Sequence, residues 1–260
     1  VEVVVPVLYG KAFTSGPIFD AAISNQNKTM TYCIALSEET DTGNISVQNI
    51  FLQDAKLFFS GNTVISHNDP NGTSATSYNG NVRVNVYQGG ATGADVVFPA
   101  SGTGSSTAAT TIMPNWNVST HTANSLVYAV VQIDYSPENG LTGLPPMTFE
   151  MTNSLNNPGN VLMDYLNNDR YGAGLSNTII DTSSIVGTAN TAMRGFCEEL
   201  VSYIDANGNP ATNERYEING VMTTFSDIKT NIDKICAAGG SYFAYDGKQG
   251  KFKAIPNRAF

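Results

Sequence analysis

Side chains that could carry chemistry are few in this chain and lie far apart. The two histidines, His67 and His121, each lie in a polar stretch with no cysteine or acid pair beside them. The three cysteines, Cys33, Cys197 and Cys236, form no CxxC spacing. Because zinc sites are built from clustered His and Cys ligands, we expect solvent-exposed histidines and three buried or free thiols.

Acidic residues offer two further candidates. Adjacent glutamates occur at Glu38–Glu39 and Glu198–Glu199, and paired carboxylates can hydrolyse glycosidic bonds. Neighbouring side chains in a strand point to opposite faces, and adjacent acids are usually solvated, so both pairs are predicted to be surface. The stretch "DANGNPATNE", residues 205–214, imitates the start of a calcium loop. Pro210 stands where such a loop requires glycine, so a hairpin or connection is predicted instead.

The most site-like segment is "LMDYLNNDRYGAGLSNTIID", residues 162–181. Asp169, Arg170 and Tyr171 follow a predicted helix, where an arginine can interact with the last carbonyls and pair with an acid. Gly172 and Gly174 allow a sharp turn. The segment holds no nucleophile beside a base, so it is predicted to be a connector between helices.

Glycine-rich and catalytic motifs give no site either. "GTGSS", residues 102–106, resembles a phosphate loop, but no lysine follows and no helix is predicted after it. The chain contains no GxSxG, HExxH or Walker sequence. The sequence therefore assigns no catalytic, cofactor-binding or metal-ligating residue and no cofactor.

Charge is scarce and unevenly distributed. Charged residues make up 13% of the 260 residues and the net charge is −9, against a usual charged share of about 25%. Residues 1–150 hold four cations and eleven acids, a net charge of −7, and residues 96–133 hold no formal charge. Nucleic-acid binding requires clustered cations, so specific binding of DNA is not expected. A surface so poor in charge indicates that partners cover much of it.

The first half is predicted to form strands and the second half a small α/β unit. Alternating or apolar strands are expected in "VEVVVPVLYG", "TMTYCIALSEET", "SVQNIFLQDAKLFF", "NVRVNVYQG", "LVYAVVQIDY" and "MTFEM", with a long polar loop over residues 99–125. At about Asn153 the period changes to that of a helix. No run reaches the ~20 apolar residues of a membrane helix. Because the sequence starts with Val1 and shows no signal segment, we expect a piece of a longer protein.

Three helices and a hairpin are predicted after residue 153. Asn157 and Pro158 start the first helix, which is expected to end near Arg170. Asp181 or Ser183 caps a second helix whose inward stripe is Ile185, Ala189, Ala192, Met193 and Phe196. Ser226 caps a third helix, with Ile228, Ile232, Ile235 and Cys236 inward and Gly239–Gly240 ending it. Residues 241–255 form a hairpin that turns between Asp246 and Gly250.

Several segments resemble, in order, a known family. "NPGNVLMDYLNNDRYGAGL" resembles a segment of phage tail hub proteins, the tip-attachment protein J family of lambda-type siphophages and their relatives. "IDTSSIVGTANTAMRGFCEEL" and "RYEINGVMTTFSDIKTNIDKICAAGGSYFAYDGKQGKFKA" resemble the parts that follow it, and "VPVLYGKAFTSGPIFDA" and "SLVYAVVQIDYSPENGLTGLPPMTFEM" resemble parts before it. Several segments in the same order are more specific than any one of them.

The resemblance implies an α+β fold and a structural role in the virion. It implies a β-rich, tube- or barrel-like hub domain at residues 1–152, with a variable insertion at about 59–125, and a small α/β hub domain with helices and an antiparallel hairpin at residues 153–260. It implies a homotrimer at the tail tip or baseplate, made in the host bacterial cytoplasm, that joins the distal tail and tube proteins to fibre or spike proteins. Genomic DNA would pass through its channel without specific binding. Such a protein is not an enzyme.

Two other classes stay open. Trp116 and the tyrosine-rich strands would suit a carbohydrate-binding β module of a tail fibre. A tail-associated cell-wall hydrolase is the other alternative. The sequence predicts three properties of the hub: a trimer interface well above a total of ~1,600 Å², a destabilising effect of Gly172→Val, and channel-facing acids such as Glu38, Glu39 or Asp54.

Overall fold

The computed structural model describes residues 4–88, 95–99, 112, 113, 116, 117, 120 and 122–258. The chain separates into two compact units. Unit 1 comprises Val1–Val7, Ala12–Thr40 and Ile45–Thr152, and unit 2 comprises Leu8–Lys11, Asp41–Asn44 and Asn153–Phe260. The sequence placed Leu8–Lys11 and Asp41–Asn44 in the first domain. That placement was wrong, because long-range hydrogen bonds attach both segments to the second unit.

Strands dominate the first 153 residues. The strands are β1 (Val7–Tyr9), β2 (Lys11–Thr14), β3 (Ile18–Ser24), β4 (Thr29–Glu38), β5 (Ile45–Leu52), β6 (Ala55–Ser60), β7 (Thr63–Asn68), β8 (Ser74–Ala75), β9 (Val82–Gln88), β10 (Asp95–Phe98), β11 (Leu126–Asp134) and β12 (Met147–Asn153). A 3-10 turn spans Pro137–Asn139. The strands predicted at "TMTYCIALSEET", "NVRVNVYQG", "LVYAVVQIDY" and "MTFEM" are confirmed, whereas in "VEVVVPVLYG" the described strand is only Val7–Tyr9. "SVQNIFLQDAKLFF" forms two strands, because Gln53 and Asp54 both take positive φ and make a two-residue turn.

In unit 1 the strands form a nearly closed, barrel-like sheet. The order runs β4-β11-β9-β7-β6-β5-β12-β2, with β3 beside β4, β10 beside β9 and β8 beside β7. The chain after β2 returns to β4, where the Thr14 hydroxyl donates to the Leu36 carbonyl at 3.0 Å. The Ala35 amide also donates to the Pro17 carbonyl at 2.9 Å. Such closure leaves fewer unpaired strand edges.

The core of unit 1 is built on both faces of β11. On one face, Tyr128 and Val130 pack with Cys33, Tyr87 and Met113. On the other face, alternate residues meet their partners on β9 in register: Ala129 with Val86, Val131 with Val84 and Ile133 with Val82. Because both faces are buried, β11 is a central strand, as its run of apolar residues predicts.

The region predicted as an insertion, about 59–125, contains paired strands of the sheet. β7 pairs with β6 and touches β9 at Thr63–Arg83, and β9 pairs with β11 along its length. Its status as an insertion stays a prediction. Most of the predicted polar loop at 99–125, the "GTGSS" stretch and His121 lie outside the described residues.

Unit 2 contains helices and short two-stranded sheets. Its helices are α1 (Pro158–Asn167), α2 (Thr182–Val186), α3 (Met193–Cys197) and α4 (Ile228–Ala238), with a 3-10 turn at Asn177–Ile179. Its strands are β13 (Leu200–Ile204), β14 (Pro210–Glu214), β15 (Gly220–Met222), β16 (Ser241–Asp246) and β17 (Lys251–Pro256). α1 packs against the other three helices, α4 against β16, and α2 and α3 against β17.

Three helix predictions need correction. α1 ends at Asn167, three residues before Arg170, because the Asn168 side chain accepts hydrogen bonds from the Arg170 and Tyr171 amides. The predicted second helix is two helices, since the chain extends at Gly187, where a Cβ would meet the Ser183 carbonyl at 2.5 Å.

The third correction concerns α4, whose cap is Asp227 rather than Ser226. The Asp227 carboxylate accepts the Thr230 amide at 2.8 Å, as an N-cap residue does. Ile228, predicted to face inward, is exposed. The first residue of a helix lies at the edge of its buried stripe. When the cap moves by one residue, a different side chain faces solvent at this edge.

The structure is therefore β-rich, with few helices. Predictions of an N-terminal cap at Asn157, a stop at Gly239 and a hairpin at 241–255 are confirmed.

Candidate functional site

The site-like segment at residues 162–181 surrounds a buried aspartate that the sequence did not single out. Asp164 lies on α1, and its Oδ2 accepts the Tyr9 hydroxyl at 2.7 Å and the Tyr171 hydroxyl at 2.8 Å. Its Oδ1 accepts the Asp41 amide at 3.3 Å. We call Tyr9, Asp41, Asp164 and Tyr171 the polar tie. It joins the three segments of unit 2 that are distant in sequence.

Burial sets the protonation of the groups in the polar tie. Burial raises the pKa of Asp164, although the two tyrosine hydroxyls partly offset the effect by donating to the carboxylate. Burial and the neighbouring carboxylate raise the pKa values of Tyr9 and Tyr171 well above the ordinary range. Both hydroxyls therefore stay protonated at neutral pH and act as hydrogen-bond donors. A sequence signal existed: an acid inside the apolar run "VLMDYL" needs partners when buried.

A cavity of about 390 Å³ adjoins the polar tie. Its lining includes Asp41, Asn160, Asp164 and Asn167. Oxygen ligands of this kind suit hard cations, but the residues that the structure describes contain no group of three or more His, Cys, Asp or Glu that could hold a metal ion. We assign the cavity no ligand.

The connector joins α1 to α2, as predicted, but the reason for glycine at position 172 differs from the predicted one. Gly174 has a φ of +59°, which L side chains rarely adopt. Gly172 does not take positive φ. Instead, a Cβ at Gly172 would lie 1.9 Å from the Tyr165 carbonyl oxygen. The glycine is thus required by the close approach of the connector to α1.

Residues 198–217, which we call the hairpin arm, extend from the end of α3. β13 and β14 form a sheet of their own, paired from Leu200–Glu214 to Ile204–Pro210. The base is fixed by an Arg215–Glu199 ion pair at 3.0 Å and by the Arg215 guanidinium 5.1 Å from the Phe196 ring. The predicted hairpin at "DANGNPATNE" is confirmed.

The tip of the hairpin arm explains the calcium-like spacing. The Asp205 carboxylate accepts the amides of Asn207 and Asn209 at 2.9 and 2.8 Å. These backbone hydrogen bonds lower the pKa of Asp205. The acid shapes a turn, and Gly208 with a φ of +83° completes it.

Residues 225–258, which we call the grooved face, border an apolar cavity of about 510 Å³. The cavity is lined by residues of α4, the β16–β17 hairpin and the connector: Ala173, Leu175, Ile228, Lys229, Ile232, Asp233, Phe243 and Phe252. Phe243 and Phe252 stack with ring centroids 5.4 Å apart. Lys229 and Asp233 form an exposed ion pair at its rim, 2.5 Å apart. The cavity presents apolar surface with a charged border.

The remaining chemical candidates do not assemble. His67 was predicted to be solvent-exposed, which was wrong: it is buried and stacks on Tyr78 at 4.2 Å. Burial lowers the pKa of His67, although Asp69 opposes the shift. The three cysteines are free and buried, as predicted. Burial raises the pKa values of Cys197 and Cys236 to about 12, so their reactive thiolate forms are scarce.

The glutamate pairs and the predicted channel acids lie in varied surroundings. Glu198 pairs with Arg194 at 2.8 Å and Glu199 with Arg215, so the second pair is engaged in ion pairs. Of the glutamates predicted to be surface, Glu199 is exposed, whereas Glu38, Glu39 and Glu198 are half-buried. Glu39 accepts a hydrogen bond from Gln88 at 3.1 Å. Asp54 is exposed.

Arg83 and Lys56, two cations of the first 150 residues, have partners of known geometry. Arg83 forms an ion pair with Asp134 at 2.9 Å. The Lys56 ammonium lies 5.7 Å from the centre of the Phe58 ring. Lys28 is exposed. The acids of unit 1 thus outnumber the cations available to neutralise them.

Trp116 packs partly against the core of unit 1. It adjoins the cluster of Cys33, Tyr87 and Tyr128. One side of it lines a cavity of about 370 Å³ together with Phe19, Thr120 and Thr122. Aromatic rings beside hydroxyls are suited to sugars, so this cavity is where a carbohydrate would bind if the alternative function held.

Comparison with known proteins assigns no family. No family model matches the chain, and no curated protein matches it. Across the part of the chain that the structure describes, no helix has the length and apolar character needed to cross a membrane.

Proposed function

We propose that the chain is the subunit of a homotrimeric hub at the distal end of a phage tail. In this role it joins the distal tail and tube proteins to the tip and its fibre or spike proteins, and it forms part of the DNA-ejection channel. The ordered sequence resemblance to tail hub proteins supports this function. A tube-like role for the β-rich unit 1 and a hub α/β role for unit 2 belong to the same proposal.

The observation that carries the proposal is large apolar side chains left exposed in both units of a charge-poor chain. In unit 1 they include Phe13, Ile18, Phe19 and Ile23, of which the last three lie on β3. In unit 2 they include those of the hairpin arm. Large apolar side chains exposed in both units suit sites where other proteins bind, and hub subunits are surrounded by partners.

The experiment is to locate the chain in tail particles. Mass spectrometry of purified tails should detect it, and cryo-electron microscopy should place three copies around the axis at the distal end. Each copy should bury well over the ~1,600 Å² total of a standard interface. Absence from tails, or a monomer in them, would contradict the proposal.

The channel role predicts a lumen that carries acidic side chains. Residues 1–150 have a net charge of −7, and three copies would triple it. An acidic wall repels DNA, whereas a basic wall would retain it by releasing counterions. Glu38, Glu39 and Asp54 are the acids we name as candidates for the lumen.

Replacing lumen acids by lysine should slow DNA ejection while assembly is unchanged. The slowing should weaken as salt rises, because salt screens the attraction. A lumen lined instead by Lys28, Lys56 and Arg83, or a slowing that vanished at low salt, would contradict this part of the proposal. Substituting acids on the outer surface is the matched control.

The second candidate is a carbohydrate-binding β module, favoured by the cavity between Phe19 and Trp116. Glycan-array binding that is lost in Trp116→Ala would support it. A cell-wall hydrolase has less support, since Glu198 and Glu199 pair with arginines. The hub proposal assigns no enzymatic activity, and clearing of cell-wall substrate in zymography would contradict it.

A further inference from the structure

One face of the hairpin arm exposes large aliphatic side chains, separated by Ser202 and its partner Thr212. Leu200 and Ile204 are 66% and 65% exposed. The register pairs Ile204 with Pro210, so these two side chains share a face with Leu200. A lone two-stranded hairpin is only marginally stable in water. Its ordered apolar face therefore suits a surface that another chain covers.

The grooved face has the complementary shape. Its cavity is concave and apolar, with the stacked rings of Phe243 and Phe252 in its lining. Ile228 lies at the edge and is exposed, and Phe225 beside it is 76% exposed. The cavity volume of about 510 Å³ leaves room for aliphatic side chains.

The two segments that carry these surfaces also differ in net charge. The hairpin arm holds five acids and one cation, a net charge of −4. The grooved face holds six cations and three acids, a net charge of +3. Opposite charges orient partners and exclude wrong ones. One chain thus carries both the hairpin arm and the grooved face, which can contact each other between copies.

We propose that the hairpin arm of one copy packs on the grooved face of a second copy of this chain, with Leu200 and Ile204 in the apolar cavity. A contact between two different surfaces of the same chain is heterologous and closes into a ring when its rotation allows. The number of copies, three, rests on the proposed hub function. In such a ring every arm and every groove is covered.

The test is site-directed cross-linking. Ile204→Cys and Ile228→Cys are placed on separate chains with different affinity tags, co-expressed, and treated with a short bifunctional maleimide. The expected result is a covalent dimer that carries both tags. The native cysteines are buried, so they contribute little background. Asn213→Cys, exposed on the opposite face of the same hairpin, is the matched control and should cross-link at least tenfold less.

Each outcome decides something. A monomer at about 1 mM, an assembled oligomer in which Ile204→Cys and Ile228→Cys do not join, or an equal yield from Asn213→Cys would overturn the contact. Same-tag dimers from Ile204→Cys alone would replace it with an arm-to-arm contact. Threefold density in tails without the cross-link would support the hub function and contradict the arm-to-groove contact. The cross-link without density at the tail tip would support the contact and contradict the hub function.

Discussion

Asp134 in unit 1 and Asp164 in unit 2 each accept several hydrogen bonds, yet their pKa values shift in opposite directions. In unit 1, Arg83 donates to Asp134 at 2.9 and 3.0 Å and Thr29 donates at 2.6 Å. The hydrogen bonds from Arg83 lower the pKa of Asp134, even though burial opposes the shift. In unit 2, burial raises the pKa of Asp164 despite its two tyrosine donors.

The difference shows that the charge of the hydrogen-bond donor decides how a partly or fully buried carboxylate contributes to stability. Asp134 is a charged partner at a half-exposed position, where ion pairs contribute modestly. Asp164 is a buried acceptor whose loss would leave hydroxyl groups without partners. We therefore expect unit 2 to depend on its carboxylate more than unit 1 does.

The largest expected effect is that of Asp164→Ala. It leaves the Tyr9 and Tyr171 hydroxyls without their acceptor and should lower the free energy of unfolding by about 3 kcal/mol. Asp233→Ala, at an exposed acid of α4, should change it by less than about 0.5 kcal/mol. Chemical denaturation measures both. A loss for Asp164→Ala no larger than that for Asp134→Ala would break the comparison.

Gly172→Val should come next, at about 1–3 kcal/mol. Its Cβ collides with the Tyr165 carbonyl and displaces Tyr171 from Asp164. Because the collision begins at Cβ, Gly172→Ala should also destabilise unit 2. Gly220→Ala has open space around it and is the control. Melting temperatures decide, and an unchanged value for Gly172→Ala would show that the connector can move away.

Asp134→Asn should have a smaller effect, about 1 kcal/mol, because its ion pair with Arg83 is partly solvated. Trp116, the single tryptophan of the chain, lies in unit 1, and its fluorescence therefore reports this unit. High salt should shrink the difference between the variant and the native chain. A difference that did not depend on salt would indicate lost packing instead of lost charge.

The smallest effect is the dependence of stability on pH, with opposite signs in the two units. The stabilisation from Asp134 is present above about pH 4 and is lost as pH falls through its lowered pKa. For Asp164, whose pKa is raised, stability falls as pH rises from about pH 4 through the raised pKa. Asp164→Asn should remove this decrease in the stability of unit 2 with rising pH. Unfolding can be monitored by helix ellipticity, which reports mainly unit 2. Equal slopes in both proteins would contradict the assignment.

Strands of unit 1 could be predicted because their apolar residues occur in runs or at alternate positions along the sequence. β4, β9 and β11 carry apolar or alternating runs, and turns such as Asp69–Gly72 separate such runs. The turn at Gln53–Asp54 was missed because it contains no glycine, and only Asp54 is of a type that favours positive φ.

The candidate site was less predictable, because its contacts are long-range. The hairpin arm was predicted from local turn residues. The polar tie was not, since nothing near Tyr9 in the sequence indicates an acceptor 155 residues away. The cavity at the grooved face is lined by the connector, α4 and the β16–β17 hairpin, so its lining depends on tertiary packing.

The assignment of Leu8–Lys11 and Asp41–Asn44 to unit 2 has a consequence for synthesis of the chain. Tyr9 leaves the ribosome 155 residues before Asp164, about 8–30 s earlier at typical elongation rates. During that interval residues 153–260 of unit 2 have not yet been synthesised, so Leu8–Lys11 and Asp41–Asn44 cannot make their contacts with them. A gene cut between Thr152 and Asn153 would leave those segments on the wrong fragment, and co-expression of the two halves should then give poorer yield than the intact chain.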